Sequence, residues 1–297
     1  MKKSRFLFAI AVFGFMACKQ TQSVTSKNVS SSKKEVTLTK LWETDTLLKT
    51  CESVSYDASN NSIYVANIGG VGTSEKDGDG SMSIINLEGK IVNQNWVTGI
   101  DGPKGFGLFK DNLFVADIDN IVKINKKTGI VEKKYPVSDA VFLNDVSIDA
   151  NGIVYVTDSR GDKIYKLEND AVSVWMDLKG MNPNGILVEE NRILIAASKN
   201  GDFISIDKKT KQQTILATGM VRGDGIVAIK QGYIVSTWPG EIYFVEKNSK
   251  GEPAIKILDT KAQKLNTADI GIIPKKNILL VPTFFGNKVV AYKIDYK

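Results

Sequence analysis

The chain has 297 residues, 42% of them hydrophobic, which is enough for a large buried core in one or two domains. It contains no histidine, so any general base must be a carboxylate and neither of its two cysteines has an imidazole to activate it. The formal charge of +6 falls to +3 when Lys2, Lys3 and Arg5 are set aside, and with no basic stripe interleaved with stacking aromatics the sequence offers no nucleic-acid surface.

From the N-terminus, Lys2, Lys3 and Arg5 precede an apolar run from Phe6 to Ala17 that is too short to span a bilayer, so residues 1–17 read as an export signal. Phe15-Met16-Ala17-Cys18 resembles a bacterial lipobox, with Phe in the place where Leu is usual. In that reading Cys18 carries lipid and the protein belongs to the bacterial cell envelope, exported and anchored to a membrane through Cys18. Residues 18–35 hold almost nothing apolar and read as a flexible tether; its 17 residues from Lys19 span about 20–25 Å as a random coil. Cys51 then has no partner for a disulfide and reads as a small buried filler.

Residues 36–297 carry a repeat. Val146 and Ile148 alternate with polar residues, Asn151-Gly152 turns the chain, Val154 and Val156 resume the alternation, and Arg160-Gly161-Asp162 turns it again toward Ile164 and Tyr165. The same frame returns in PNGILVEENRILIAAS, where Asn184 takes the place of Asn144, and in GDGIVAIKQGYIVSTW, where Asp224 takes it. Upstream, Glu52 and Lys104 occupy that place, and downstream Asp269 is assigned to it. Units of about 40–45 residues that cannot bury their faces alone imply an all-β fold, a six-bladed β-propeller of four-stranded blades. Val36–Glu43 (VTLTKLWE) precede the first unit and the last unit is a strand short, so the N-terminal strand should join the last blade and close the ring.

Between these units lie features with ordinary explanations. The loop Asn67–Gly80 is long enough to be functional or mobile. Its Asp77-Gly-Asp79-Gly-Ser81 imitates a calcium loop, but Met82 stands where a glycine is required. The lysine pairs Lys126-Lys127, Lys208-Lys209 and Lys275-Lys276 fall in turns and read as solvated charge. Trp96, Trp175 and Trp238 sit near strand ends and read as seals between blades.

In a propeller each innermost strand starts at one end of the central channel, so residues in one register converge on the axis. Here that ring is Glu52, Lys104, Asn144, Asn184, Asp224 and Asp269. Asn and Asp have a turn preference of their own, but Glu52 does not, and a carboxylate at a closed axis is costly unless paired or bound to a cation. Oxygen side chains in register at four blades suit a hard divalent ion such as calcium.

These residues carry a resemblance. ESVSYD at Glu52, LNDVSID and GIVYVTDS around Asn144, PNGILV at Asn184 and GDGIVAI at Asp224 are similar to the senescence-marker-protein, gluconolactonase and luciferin-regenerating-enzyme family, over about residues 41–294. The resemblance implies a calcium-dependent propeller that hydrolyses a lactone or related ester. It implies Glu52, Asn184 and Asp224 as metal ligands and Asn144 beside them at the substrate; with no histidine in the chain the expected base is a carboxylate, Asp224, which can touch both ion and water. Lys104, Phe142 and Asp269 are the further expected substrate contacts. Sugar-lactone members commonly carry Arg two residues before the third-blade Asn; Phe142 stands there, which points to a less polar substrate. Histidine-dependent propeller lactonases of the paraoxonase type are excluded by composition. The expected partner is a small lactone or ester and the expected state a monomer. The alternatives are a tethered propeller that binds a ligand or protein around a structural ion without turnover, and a strictosidine-synthase-like or NHL-type propeller that shares only the strand pattern.

Overall fold

The computed structural model describes residues 35–70 and 72–297. The expected signal segment, most of the expected tether and Cys18 lie outside the described residues. In chain order, β1 spans Val36–Glu43. Blade one holds β2 (Cys51–Asp57), β3 (Ser62–Asn67), β4 (Gly80–Ile85) and β5 (Ile91–Ile100), and blade two β6 (Pro103–Phe109), β7 (Asn112–Asp117), β8 (Asn120–Asn125) and β9 (Val131–Pro136). Blade three holds β10 (Leu143–Ile148), β11 (Val154–Asp158), β12 (Lys163–Glu168) and β13 (Ala171–Asp177), and blade four β14 (Pro183–Val188), β15 (Arg192–Ala197), β16 (Asp202–Asp207) and β17 (Gln213–Thr218). Blade five holds β18 (Gly223–Ile229), β19 (Gly232–Thr237) and β20 (Glu241–Glu246). The short β21 (Glu252–Pro253) adds to blade four before β22 (Ile255–Asp259) completes blade five. Blade six has β23 (Gly271–Ile273), β24 (Ile278–Pro282) and β25 (Val289–Tyr296), with β1 as its outermost strand.

The strand sequences explain why this stack forms. Strands near the middle of each blade are buried on both faces, and their side chains alternate between two neighbours. In β7, Leu113 and Val115 pack into a cluster shared with blade one, whereas Phe114 and Ala116 pack into one shared with blade three. Six such clusters are present, one at each blade interface, so every blade depends on both neighbours. The outer strands are polar: β9 (VEKKYP) and β13 (AVSVWMD) are largely exposed.

The expected closure is present. β1 runs antiparallel to β25 from Val36 opposite Tyr296 to Glu43 opposite Val290, and Glu35 continues the pairing with Lys297. Two of the lysine pairs depart from the solvated reading. Lys126, in the β8–β9 turn, reaches Asp57 of the neighbouring blade at 2.6 Å with both side chains under 10% exposed, and Lys208 approaches Asp149 at 3.4 Å. These turns lie beside the β2–β3 and β10–β11 turns, a juxtaposition across blades that local sequence does not carry.

Candidate functional site

The inner strands begin irregularly, and this irregularity builds the site. Pairing between the first and second strands slips between Cys51 and Ser53, Pro103 and Phe106, Leu143 and Val146, Pro183 and Ile186, and Gly223 and Ile226. The slips span Glu52, Lys104, Asn144, Asn184 and Asp224 in turn. Bulges of this kind release a side chain from the ladder and re-aim it. Here all five side chains line one cavity of 250 Å³ at the end of the channel, together with Ile68, Thr73, Phe142, Ser198, Arg222, Trp238, Phe284 and Phe285.

Asp269 is not among them. The residues that follow the slips, Val54, Phe106, Val146, Ile186, Ile226 and Ile270, align the six inner strands, and this alignment puts Ala268 in the ring and Asp269 one step further along. A slip of one residue at the last repeat, where the interval lengthens, accounts for the sequence assignment. Asp269 lies in a second tier with Ser53, Gly105, Asp145, Gly185 and Gly225, and with Asp145 it faces a 730 Å³ cavity at the other end of the channel. There Ser53 Oγ donates to Asp269 Oδ2, and the backbone N–H groups of Val146 and Ile186 donate to Asp145. The glycines of this tier are required by crowding: a methyl at Gly185 would overlap the Asp224 carbonyl, and one at Gly225 would overlap Asp269.

Three buried side-chain oxygens in the cavity accept no hydrogen bond: Glu52 Oε2, Asn184 Oδ1 and Asp224 Oδ1. Leaving such atoms bare costs about 1–3 kcal/mol each, more for charged groups, so oxygens converging in this way are suited to a cation. Among the described residues no three His, Cys, Asp or Glu side chains are grouped to hold a metal. The set here is two carboxylates and one amide, which is oxygen-only and leaves positions open. It fits a hard divalent ion.

Asn144 is oriented from outside. Ser159 Oγ donates to the Pro183 carbonyl at 2.8 Å, so it must accept from Asn144 Nδ2 at 3.1 Å, and the amide oxygen of Asn144 is the end left free. Asp158, at the end of β11, accepts from the N–H groups of Val141, Phe142 and Gly161, and Asp117 at the end of β7 does the same for Asp101 and Gly102. These carboxylates fix the entry loops that present Phe142 and Lys104.

Electrostatics follow burial. The carboxyls of Glu52 and Asp224 are held well above the ordinary range, first by burial and then by neighbouring carboxylates, with Asp269 acting on both. Asp145 is raised likewise, and burial pushes Asp269 up to about 7. Lys104 is lowered to about 8 by burial, against the pull of Glu52 and Asp117. It forms no salt bridge among the described residues; its Nζ donates to the Gly102 carbonyl at 3.2 Å and lies 4.6 Å from the centre of the Phe142 ring.

The aromatic readings divide. Trp96 packs on Tyr64 and Trp175 on Tyr155 of their own blades, and each also borders the cluster shared with the following blade, as a seal. Trp238 instead lines the cavity, edge-on to Phe284 and Phe285, with the Arg222 guanidinium 4.3 Å from its ring. Arg160 stacks 4.2 Å over Phe142. Sequence reading took Arg160 only as part of a turn and passed over Arg222, although Arg222 precedes Asp224 by two residues. The Asn67–Gly80 loop supplies Ile68 and Thr73 to the cavity wall, and Lys76 ties it to Asp119 of blade two at 2.6 Å. Its calcium-loop imitation is used internally: Asp79 Oδ2 accepts from Gly70 N–H, and Asp77 Oδ1 accepts from Asp79 N–H. Cys51 is fully buried with its thiol pushed up to about 12 by burial, an inert filler as expected.

Comparison with known proteins supports the fold. No family profile matches the sequence, and no curated protein matches it. Among solved structures, the chain is similar to a catalytically inactive virginiamycin B lyase from Staphylococcus aureus with quinupristin, with a TM-score of 0.60 at 10% identity over 88% of this chain and 99% of that one. A selenomethionine form of the same lyase gives 0.59 at 15% identity, over 89% and 88%. The extracellular domain of a proposed hybrid two-component system from B. thetaiotaomicron gives 0.55 at 14% identity, covering 82% of this chain and 34% of that one. At these identities the likeness is one of fold.

Proposed function

We propose that this propeller is a divalent-cation-dependent hydrolase of a lactone or related ester, of the senescence-marker-protein and gluconolactonase type, held to a bacterial envelope membrane through lipid on Cys18. The observation that carries the reading is the trio of unpartnered buried oxygens, Glu52 Oε2, Asn184 Oδ1 and Asp224 Oδ1. They belong to the three residues that the family resemblance independently names as ligands. The inactive lyase among the structural neighbours is a histidine-to-alanine variant, and this chain has no histidine, so that chemistry does not transfer.

In this reading Glu52, Asn184 and Asp224 hold the ion, with calcium as the proposed occupant. A bound divalent ion supplies Lewis-acid polarisation of an ester carbonyl and acidifies water. Asp224 takes the proton from the attacking water, since no imidazole exists to do so. The free amide oxygen of Asn144, locked by Ser159, accepts a hydrogen bond from that water or from a substrate hydroxyl. Lys104 donates to substrate oxygen, and the Phe142 ring forms an apolar wall. A non-catalytic binding propeller is the second reading, favoured by the aromatic mouth of the cavity.

The test is hydrolysis of a lactone panel by the purified full-length protein with calcium, with chelator, and as Glu52→Gln. Turnover that needs calcium and falls at least a hundredfold in Glu52→Gln is the expected result. An ion that raises the melting temperature while no lactone is turned over would favour the binding reading.

A further inference from the structure

Three arginines lie among the described residues. Arg192 is paired with Glu189 at 2.6 Å, whereas Arg160 and Arg222 form no salt bridge among those residues and are exposed. Both unpaired guanidiniums stack on an aromatic wall of the same cavity, Arg222 on Trp238 and Arg160 on Phe142. Lys104, at the same Phe142 ring, adds a third cation. Against them stand the carboxylates of Glu52 and Asp224. Once a divalent ion neutralises those two, Lys104 and Arg222, which line the cavity, leave it with surplus positive charge, and Arg160 adds to it from the Phe142 ring. Stacking fixes each guanidinium plane while leaving its N–H edges free to meet an anion.

The remaining walls are apolar. Trp238, Phe284 and Phe285 meet edge to face at centroid distances of 4.7–6.1 Å. Phe285 is 55% exposed, a large apolar ring at a cavity mouth. A neutral sugar would leave the guanidiniums without a counter-charge.

We infer that the ligand of this cavity is an amphiphilic anion: an ester or lactone whose apolar, ring-bearing body packs on Trp238, Phe284 and Phe285 and carries a carboxylate-type group read by Arg222. This deepens the hydrolase reading by naming its substrate class, and it rests on that reading only for the ester. The anionic group is separate from the carbonyl that reacts, because Arg222 sits on the rim while Glu52 and Asp224 lie buried below it.

The test is calorimetric binding of a matched pair, 2-naphthoate and uncharged 2-naphthamide, to the calcium-loaded full-length protein and to Arg222→Gln and Trp238→Leu. The expected result is at least tenfold preference for naphthoate, reduced to under threefold in Arg222→Gln, with both ligands weakened about fivefold in Trp238→Leu. Equal binding of the two, binding of neither, or selectivity that survives in Arg222→Gln would overturn the inference. The last outcome would assign the carboxylate to the ion instead. Arg222 lies in the left-handed region at φ 62°, so Arg222→Asn is the second variant if the glutamine fails to fold, and the wild-type preference decides independently of either. Because no turnover is measured, selective binding without lactone hydrolysis would leave this inference standing while the hydrolase reading fell.

Discussion

Asp269 shows how far a single carboxyl can be followed. Its pKa rises from 3.8 to about 7 through burial, with the Ser53 hydroxyl pulling the other way. A carboxyl raised on folding contributes stability that is full below its unfolded value and is lost as pH climbs through the folded one. In calcium-free protein, Asp269 should therefore cost stability progressively between about pH 4 and 7, at up to about 1.4 kcal/mol per pH unit. Asp269→Asn should make that part of the profile of melting temperature against pH shallower, with Glu52, Asp145 and Asp224, which burial also raises, keeping the remainder; an unchanged slope would reject the assignment. The sequence located Asn144, Asn184 and Asp224 at the cavity because they recur every 40 residues, and Glu52, 52 residues before Lys104, because a glutamate has no turn preference to explain it. It misplaced Asp269 by one residue because the final interval stretches, and a one-residue slip moves a side chain to the next tier. Arg160 was read only as part of a turn and Arg222 not at all, because what distinguishes them is a place over an aromatic ring without a salt-bridge partner, which only three dimensions reveal.

At the scale of the element, the first strand of each blade is asked to do two things. It must pair with its neighbour, and it must let one residue leave the ladder at the axis. The slips at Glu52, Lys104, Asn144, Asn184 and Asp224 meet both demands, and small residues just behind four of them, Ser53, Gly105, Gly185 and Gly225, let the strands crowd together. Gly185 is the sharpest case, since a β-carbon there would press on the Asp224 backbone, which cannot move aside without moving its carboxylate. Gly185→Ala should cost about 1–3 kcal/mol of stability and, at the proposed cation site, weaken calcium binding as well. A variant that loses stability yet binds calcium as before would show that the second tier does not position the first. Strand boundaries and turns were legible from alternation and from Asn-Gly and Arg-Gly-Asp punctuation. The slips went unread although three of them carry a glycine, Gly105, Gly185 and Gly225, which inside a strand pattern is the mark of a bulge; the slips at Glu52 and Asn144 carry no such mark.

For the whole molecule, the governing fact is closure. Blade number followed from counting repeats, and the pairing of β1 with β25 followed from one strand too many at the start and one too few at the end. Deleting residues 36–43 should lower the melting temperature by more than about 10 °C, because β25 would lose its ladder partner and expose an edge. Deleting residues 19–34 should leave the melting temperature nearly unchanged. Equal effects would mean that the ring is held by its blade interfaces alone.

Closure also has a consequence in time. β1 stands at residues 36–43, and its partner strand starts at Val289, so a chain made from its N-terminus delivers one half of the seam long before the other. During that interval the early strand has no ladder, and the five blades already emerged have two open ends. The fold thus acts as a check on completeness: a chain cut short anywhere before β25 cannot latch, and it presents unpaired strand edges to any protease it meets.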